Sequence, residues 1–220
     1  MDGLAELRQH LRAEAAARMH RDTAHDVAHL DRVWRNAKLI ADQTANRRVL
    51  LAACYLHDLV NLSKDHPDRR SASRLSSEAA EPILRDLGFA EDEIKDVGHA
   101  IVAHSYSAGV PPETQEARIL RDADRLDALG AIGIARVFAV SGALDRALYD
   151  PDDPFAENRD LDEAAFALDH WQTKLLKLPQ DMATPVGARL ARERVAVMRA
   201  YLAQFADDVD VPLPANWRDG

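Results

Sequence analysis

The stretch AHDVAHLDRVWRNAKLIADQT, residues 24–44, places Val27, Leu30, Val33, Trp34, Ala37 and Ile40 at intervals of three and four. That spacing lays them along one side of a 3.6-residue helix and turns the charged groups elsewhere. The same period recurs through most of the chain, and alternating strand-like runs are nearly absent. It predicts helices at about 3–20, 24–44, 46–60, 74–87, 91–104, 114–141, 161–177 and 186–206. Gly88 stops one of them, and Thr184 before Pro185 caps and opens the last. Pro82, inside the fourth, predicts a kink or a later start. Asn61–Ser73 and Tyr149–Asp160, both rich in Pro, Asp and Asn, read as irregular connections too short for flexible linkers. A single all-α domain is expected: a helix over 1–20, a body over 21–206, and a tail over 207–220 that either straps the surface or ends disordered.

Composition agrees with that class. The chain has 220 residues, 47% hydrophobic and 30% charged, as in a globular protein. Aromatic residues make up only 5%, and Ala, Leu, Arg, Asp and Glu dominate, which favours helix over strand. With 28 Lys and Arg against 37 Asp and Glu the formal charge is −9, so a nucleic-acid coat, which needs a positive field against phosphates, is not expected. Cys54 is the one cysteine, which leaves no intrachain disulfide and no cysteine-based zinc site. The first twenty residues carry a charge every two to four positions, unlike a signal peptide or a membrane span. A cytoplasmic protein without a membrane partner is the expectation.

Against this background LLAACYLHDLV, residues 50–60, stands out, because seven uncharged residues run into His57 and Asp58. An ionised carboxylate on a helix buried nearly all round is costly unless something positive holds it. A divalent metal ion would. Neighbouring residues on a helix point about 100° apart, so His57 and Asp58 can meet only at a point just outside the helix, and further ligands must come from other helices. His29 is one candidate, one turn after His25 and one turn before Arg32. The run ILRDADRLDALGAIGIARV offers another carboxylate, and its residues alone leave Asp122 and Asp124 both open. Nitrogen and oxygen ligands of this kind suit Mn, Fe, Co, Ni or Zn, and Mg less comfortably.

The order His29, then His57-Asp58, then Asp124 resembles the H...HD...D pattern of the HD superfamily of metal-dependent phosphohydrolases. HDVAHLDRV, LHDLVNLSKDHPDRR, IVAHSYSAG and DADRLDALGAIGIAR are more specifically similar to small stand-alone bacterial HD-domain proteins of the YedJ-like type, over about residues 20–205. The resemblance implies an all-helical HD domain, a divalent metal held by His29, His57, Asp58 and Asp124, and hydrolysis of a phosphate ester by metal-activated water. It implies a small phosphorylated substrate, with a nucleotide as the expected class. Lys64, Arg69 and Arg70, just beyond the HD pair, then read as a phosphate clamp, with Arg32 as a further substrate contact. The acidic residue that the nucleotidase branch uses close after its HD pair is absent, since Asn61 stands three residues past Asp58, so a 5′-nucleotidase is not expected.

Among the remaining histidines, His104 and His25 read as catalytic residues beside Asp58, and His99 as a supporting one. Asp122 reads as a surface residue, and Asp127 as an acceptor for a ligating histidine. Trp34, Trp171 and Cys54 read as core, and Gly130 and Gly133 as places of close helix packing. Two rival functions stay open at this point: a di-iron oxygenase on the same fold, and a non-catalytic metal- or nucleotide-binding regulator. One ion or two, and monomer or homodimer, are likewise open.

Overall fold

The computed structural model describes residues 2–18, 26–60 and 68–218. It is all-α, with ten α-helices among the described residues. They are α1 (Asp2–Arg18), α2 (Val27–Ile40), α3 (Arg47–Leu56), α4 (Ala72–Asp86), α5 (Glu91–His104), α6 (Gln115–Asp127), α7 (Gly130–Ala143), α8 (Asp169–Thr173), α9 (Pro185–Asp208) and α10 (Ala215–Arg218). Among the described residues no single helix is long and apolar enough to cross a membrane. The chain divides into two compact units, Met1–Asp124 and Arg125–Gly220.

In the first unit α3 is the hub, packing against α1, α2, α4 and α5. Every residue from Val49 to Leu56 is buried, which is why this segment carries no charge: any ionised group along it would lose its water. Asn46 starts the helix by accepting the backbone N–H groups of Arg48 and Val49. On α2 the predicted stripe faces inward, with Leu30, Val33, Trp34, Ala37 and Ile40 all buried. The Asp26 side chain caps this helix by accepting the N–H of His29 at 2.8 Å. Asp31 ties three helices together: it accepts from Arg8 at 2.7 Å, Arg12 at 3.0 Å and the Tyr55 hydroxyl at 2.5 Å.

In the second unit α9 packs against α7, α10 and the 3-10 segment Leu175–Asp181. Thr184 caps α9 by accepting the N–H of Gly187 at 3.0 Å, with Pro185 in the first turn, as the sequence predicts. Trp171, Phe138, Tyr201, Phe205 and Phe155 form a linked aromatic cluster. The tail joins it as a strap: Trp217 is fully buried, meets the Phe155 ring and donates to the Phe155 carbonyl at 2.9 Å.

Four helix expectations need correction. The helix expected over 114–141 is two, because the chain tightens after α6 into i→i+3 bonds from Ala128 to Arg125 and from Leu129 to Leu126. Gly130 follows with φ +70°, and a Cβ on Gly133 would lie 2.2 Å from the Ala128 carbonyl oxygen. These glycines serve the break and its close packing. The helix expected over 161–177 shrinks to the five residues of α8. Asp162 draws the preceding backbone into a turn, accepting the N–H groups of Ala164 and Ala165 at 2.9 and 3.2 Å. α4 starts at Ala72, earlier rather than later, and runs on through Pro82. α3 ends at Leu56, so His57 and Asp58 lie just past a helix and not within one.

Candidate metal centre

Helix ends in the first unit converge on one group of polar side chains. His29 comes from the first turn of α2, His57 caps the C-terminus of α3 with Asp58 in the turn behind it, His104 is the last residue of α5, and Asp124 lies in the last turn of α6. Just past the end of α3, His57 Nε2 comes within 3.5 Å of Asp58 Oδ2. His29 Nε2 is 3.5 Å from Asp124 Oδ1 and 3.8 Å from Asp58 Oδ2. His57 Nε2 is 3.9 Å from Asp124 Oδ1, and His104 Nε2 is 3.8 Å from Asp58 Oδ1. His29 and His57 are buried, while the Asp124 side chain keeps 31% exposure.

The histidine tautomers follow from their partners. His57 Nδ1 faces the Cys54 carbonyl at 3.0 Å, and His104 Nδ1 faces that of Ile101. A carbonyl only accepts, so both Nδ1 atoms carry a proton, and it is Nε2 of each ring that faces the carboxylates. His57 Nε2 is buried and has no hydrogen-bond partner. A buried acceptor left in this state asks for a proton or a cation. Withdrawal from water would raise the Asp124 carboxyl, but His29, His57 and His104 facing it prevail and hold it below the usual carboxylate range. Burial, followed by the neighbouring His57, pushes His104 below the usual imidazole value.

Two overlapping groups can hold a metal ion: His29, His57 and Asp124, and His57, Asp58 and His104, each with its ligand atoms within 4.8 Å of one another. Metal bonds of ~2.0–2.2 Å set neighbouring ligand atoms roughly 3–3.5 Å apart, so a small closure of the distances above seats an ion. Two carboxylates also balance the charge of one divalent cation.

Other expected site residues are placed less closely. Arg32 is half-buried on α2, one turn beyond His29, and Arg70 is exposed in the 3-10 turn Arg69–Ser71. His25, Lys64 and the Arg69 side chain lie outside the described residues. His99 plays a structural part, its Nε2 accepting the N–H of Glu113 at 3.0 Å. One expectation is overturned: Asp122 is fully buried and not on the surface. Asp127 pairs with Arg136 at 2.6 Å, and the ring of His57 is held by a backbone carbonyl. Cys54 is buried and burial raises its thiol pKa, which fits a core residue and not a nucleophile. The sequence reading missed Asn36, whose signal was a polar residue inside an apolar stripe: its amide donates to the Ala123 carbonyl at 2.9 Å, one residue before Asp124.

Comparison with known proteins agrees with this arrangement. The HD domain family matches residues 26–129, a span that contains His29, His57, Asp58, His104 and Asp124. The uncharacterized protein YpgQ of Bacillus subtilis is 30% identical over 192 residues, 85% of each chain. The crystal structure of YpgQ in complex with ADP superposes with a TM-score of 0.72 at 29% identity, covering 96% of this chain and 97% of that one. An HD-superfamily hydrolase from Bacillus thuringiensis gives a TM-score of 0.72 at 30% identity, over 95% of this chain and 100% of that one. With the histidines and aspartates in the family's order and gathered in space, the chain belongs to the HD superfamily.

Proposed function

We propose that the protein is a metal-dependent phosphohydrolase acting on a small phosphorylated molecule, with a nucleotide as the favoured substrate class. The observation that carries the reading is the buried Nε2 of His57, without a hydrogen-bond partner, facing two carboxylates. Those groups fit a divalent cation by chemistry, spacing and charge. The likeness to an HD-superfamily hydrolase supports hydrolysis, and the complex of YpgQ with ADP supports a nucleotide.

His29, His57, Asp58 and Asp124 would hold the ion, which when bound supplies Lewis acidity and a water of lowered pKa. The remaining residues bind and move protons. His104, its Nδ1 tied to Ile101, can hold a proton at Nε2 beside Asp58. His25, one turn before His29 in sequence, is assigned to orient water or substrate. Arg32, Lys64, Arg69 and Arg70 are assigned to the phosphate oxygens, whose charge grows as the ester bond breaks. These four assignments rest on sequence position and residue chemistry. The cytoplasm is the assigned compartment.

The test is elemental analysis of the purified protein, followed by assay of phosphate and pyrophosphate release from nucleotides and sugar phosphates with Mn, Co, Ni, Mg or Zn. Release that depends on the cation and disappears in Asp58→Ala is expected. A metal-loaded protein inert across the panel would overturn the reading. The second group, His57, Asp58 and His104, favours two-ion occupancy as the next reading. Two tightly held irons per chain with oxygen-dependent turnover would identify an oxygenase, and nucleotide recovered unchanged would identify a regulator.

A further inference from the structure

The apolar stripe of α2 is interrupted by one amide. Asn36 lies among Val33, Trp34, Ala37 and Ile40, all buried, and is itself only 3% exposed. An amide in such a place costs stability unless it is bonded. Its Nδ2 donates to the Ala123 carbonyl at 2.9 Å, across 87 residues of sequence. Asn36 follows His29 by seven residues, two helical turns, so both project from the same side of α2. The acceptor immediately precedes Asp124.

Two features make that bond consequential. The Asp124 carboxylate faces the imidazole nitrogens of His29 and His57 at 3.5 and 3.9 Å, with no hydrogen bond between them. Its position is therefore set through the backbone of α6. That backbone is near its end, with the chain tightening from Arg125 onward, and the last turn of a helix is the part least fixed by its own ladder. A rotation of α6 by one residue would swing Asp124 by about 100°.

We infer that Asn36 is a positioning residue of the metal centre: by gripping the Ala123 carbonyl it fixes the rotation and depth at which α6 presents Asp124 to His29. The inference rests on the metal-centre reading above. A filler role would cost only stability, and a positioning role must also weaken the cation site of the folded protein.

The experiment titrates Mn(II) into chelator-stripped full-length protein, well below its melting temperature, and records the visible spectrum with Co(II). Asn36→Leu keeps the volume and removes the donor; Asn36→Ser is smaller and serves if the leucine variant does not fold. Val33→Ala, on the same stripe, controls for lost packing. Both Asn36 variants are expected to bind Mn(II) about tenfold more weakly, with an altered Co(II) spectrum, a size typical for groups that orient metal ligands. Val33→Ala should melt earlier yet bind within about twofold of the parent. Asn36 variants that bind like the parent, or a Val33→Ala loss of the same size, would overturn the inference alone. A parent protein that binds no divalent cation would remove the metal-centre reading and this inference with it.

Discussion

Asp124 in the first compact unit and Asp169 in the second show two ways of keeping a carboxylate away from water. Asp169 is fully buried and receives both Nη atoms of Arg159, at 2.5 and 2.9 Å, and the N–H of Asp162 at 2.7 Å. Arg159 is in turn held by Asp150 at 3.3 Å and lies over the Phe166 ring. Donors inside the fold meet the needs of that oxygen pair. Asp124 instead faces His29 and His57 across gaps of 3.5 and 3.9 Å. A carboxylate matched by a guanidinium is a brace. One that faces imidazole nitrogens across such gaps has the form of half a cation site, whose other half would come from solution.

The largest effect expected from this contrast is on Asp124→Asn. Loss of the ion removes several kcal/mol of transition-state stabilisation, so cation-dependent phosphate release should fall on the order of a thousandfold. The melting temperature in chelator should change little, because no hydrogen bond is broken. Asp169→Asn should do the reverse. Breaking the bidentate pair leaves Arg159 without its partner and should cost about 3 kcal/mol in denaturant titration. Mn(II) affinity of the molecules still folded should be unchanged. If Asp124→Asn unfolds the protein while Asp169→Asn spares it, the assignment of brace and site is inverted.

A chelation series sharpens the same contrast. Mn(II) at a hundred times its dissociation constant should stabilise the parent by about 2.7 kcal/mol over the EDTA-treated protein. That increment should vanish in Asp124→Asn and survive in Asp169→Asn, read as paired thermal melts. Equal metal stabilisation in all three proteins would place the cation elsewhere.

The ligand candidates could be read in the sequence for the reason that makes them functional. His57 and Asp58 follow a run with no charge, and His29 sits on a helix whose inward face is, apart from Asn36, hydrocarbon. A polar group there contradicts its surroundings. The braces gave no such signal. Asp169, Arg159 and Asp31 look like surface charges until their partners, 7 to 24 residues away, fold against them, and the buried Asp122 looks like one too. Asn36 did break the stripe of α2, but one amide among charged neighbours is easily passed over. Fold class followed from the 3.6-residue period, whereas the break between α6 and α7 did not, because ILRDADRLDALGAIGIARV keeps that period through Gly130. Only the left-handed φ of Gly130 and the contact of Gly133 with Ala128 end it. The lost helix before α8 is similar, decided by the Asp162 side chain bonding to its neighbours' backbone.

Asp31 supplies the third, mildest case, a partly exposed carboxylate near the site but matched as a brace is. It accepts from Tyr55, Arg8 and Arg12. Burial pushes its carboxyl upward, and the bonds from Tyr55, Arg8 and Arg12 prevail, leaving it below its ordinary value of 3.8. A lowered folded pKa means that the folded state favours the ionised form. The stability it contributes is therefore complete above the unfolded value of 3.8 and is lost as pH falls through the lower folded value. Tyr55 behaves oppositely: burial, then its bond to Asp31, pushes the hydroxyl up to about 12 from 10.0. Its contribution is complete below pH 10 and is lost as pH rises toward 12. Tyr55→Phe should cost about 1 kcal/mol at neutral pH, since the hydroxyl's partners keep some access to water. Denaturant titrations from pH 7 down to pH 3 should show the parent's advantage over Asp31→Asn shrinking below pH 4, and titrations from pH 7 to 11 should show its advantage over Tyr55→Phe shrinking above pH 10. Because Tyr55 lies two residues before His57, Mn(II) affinity is the deciding readout: a brace leaves it within about twofold, and a tenfold fall would make this network part of the site.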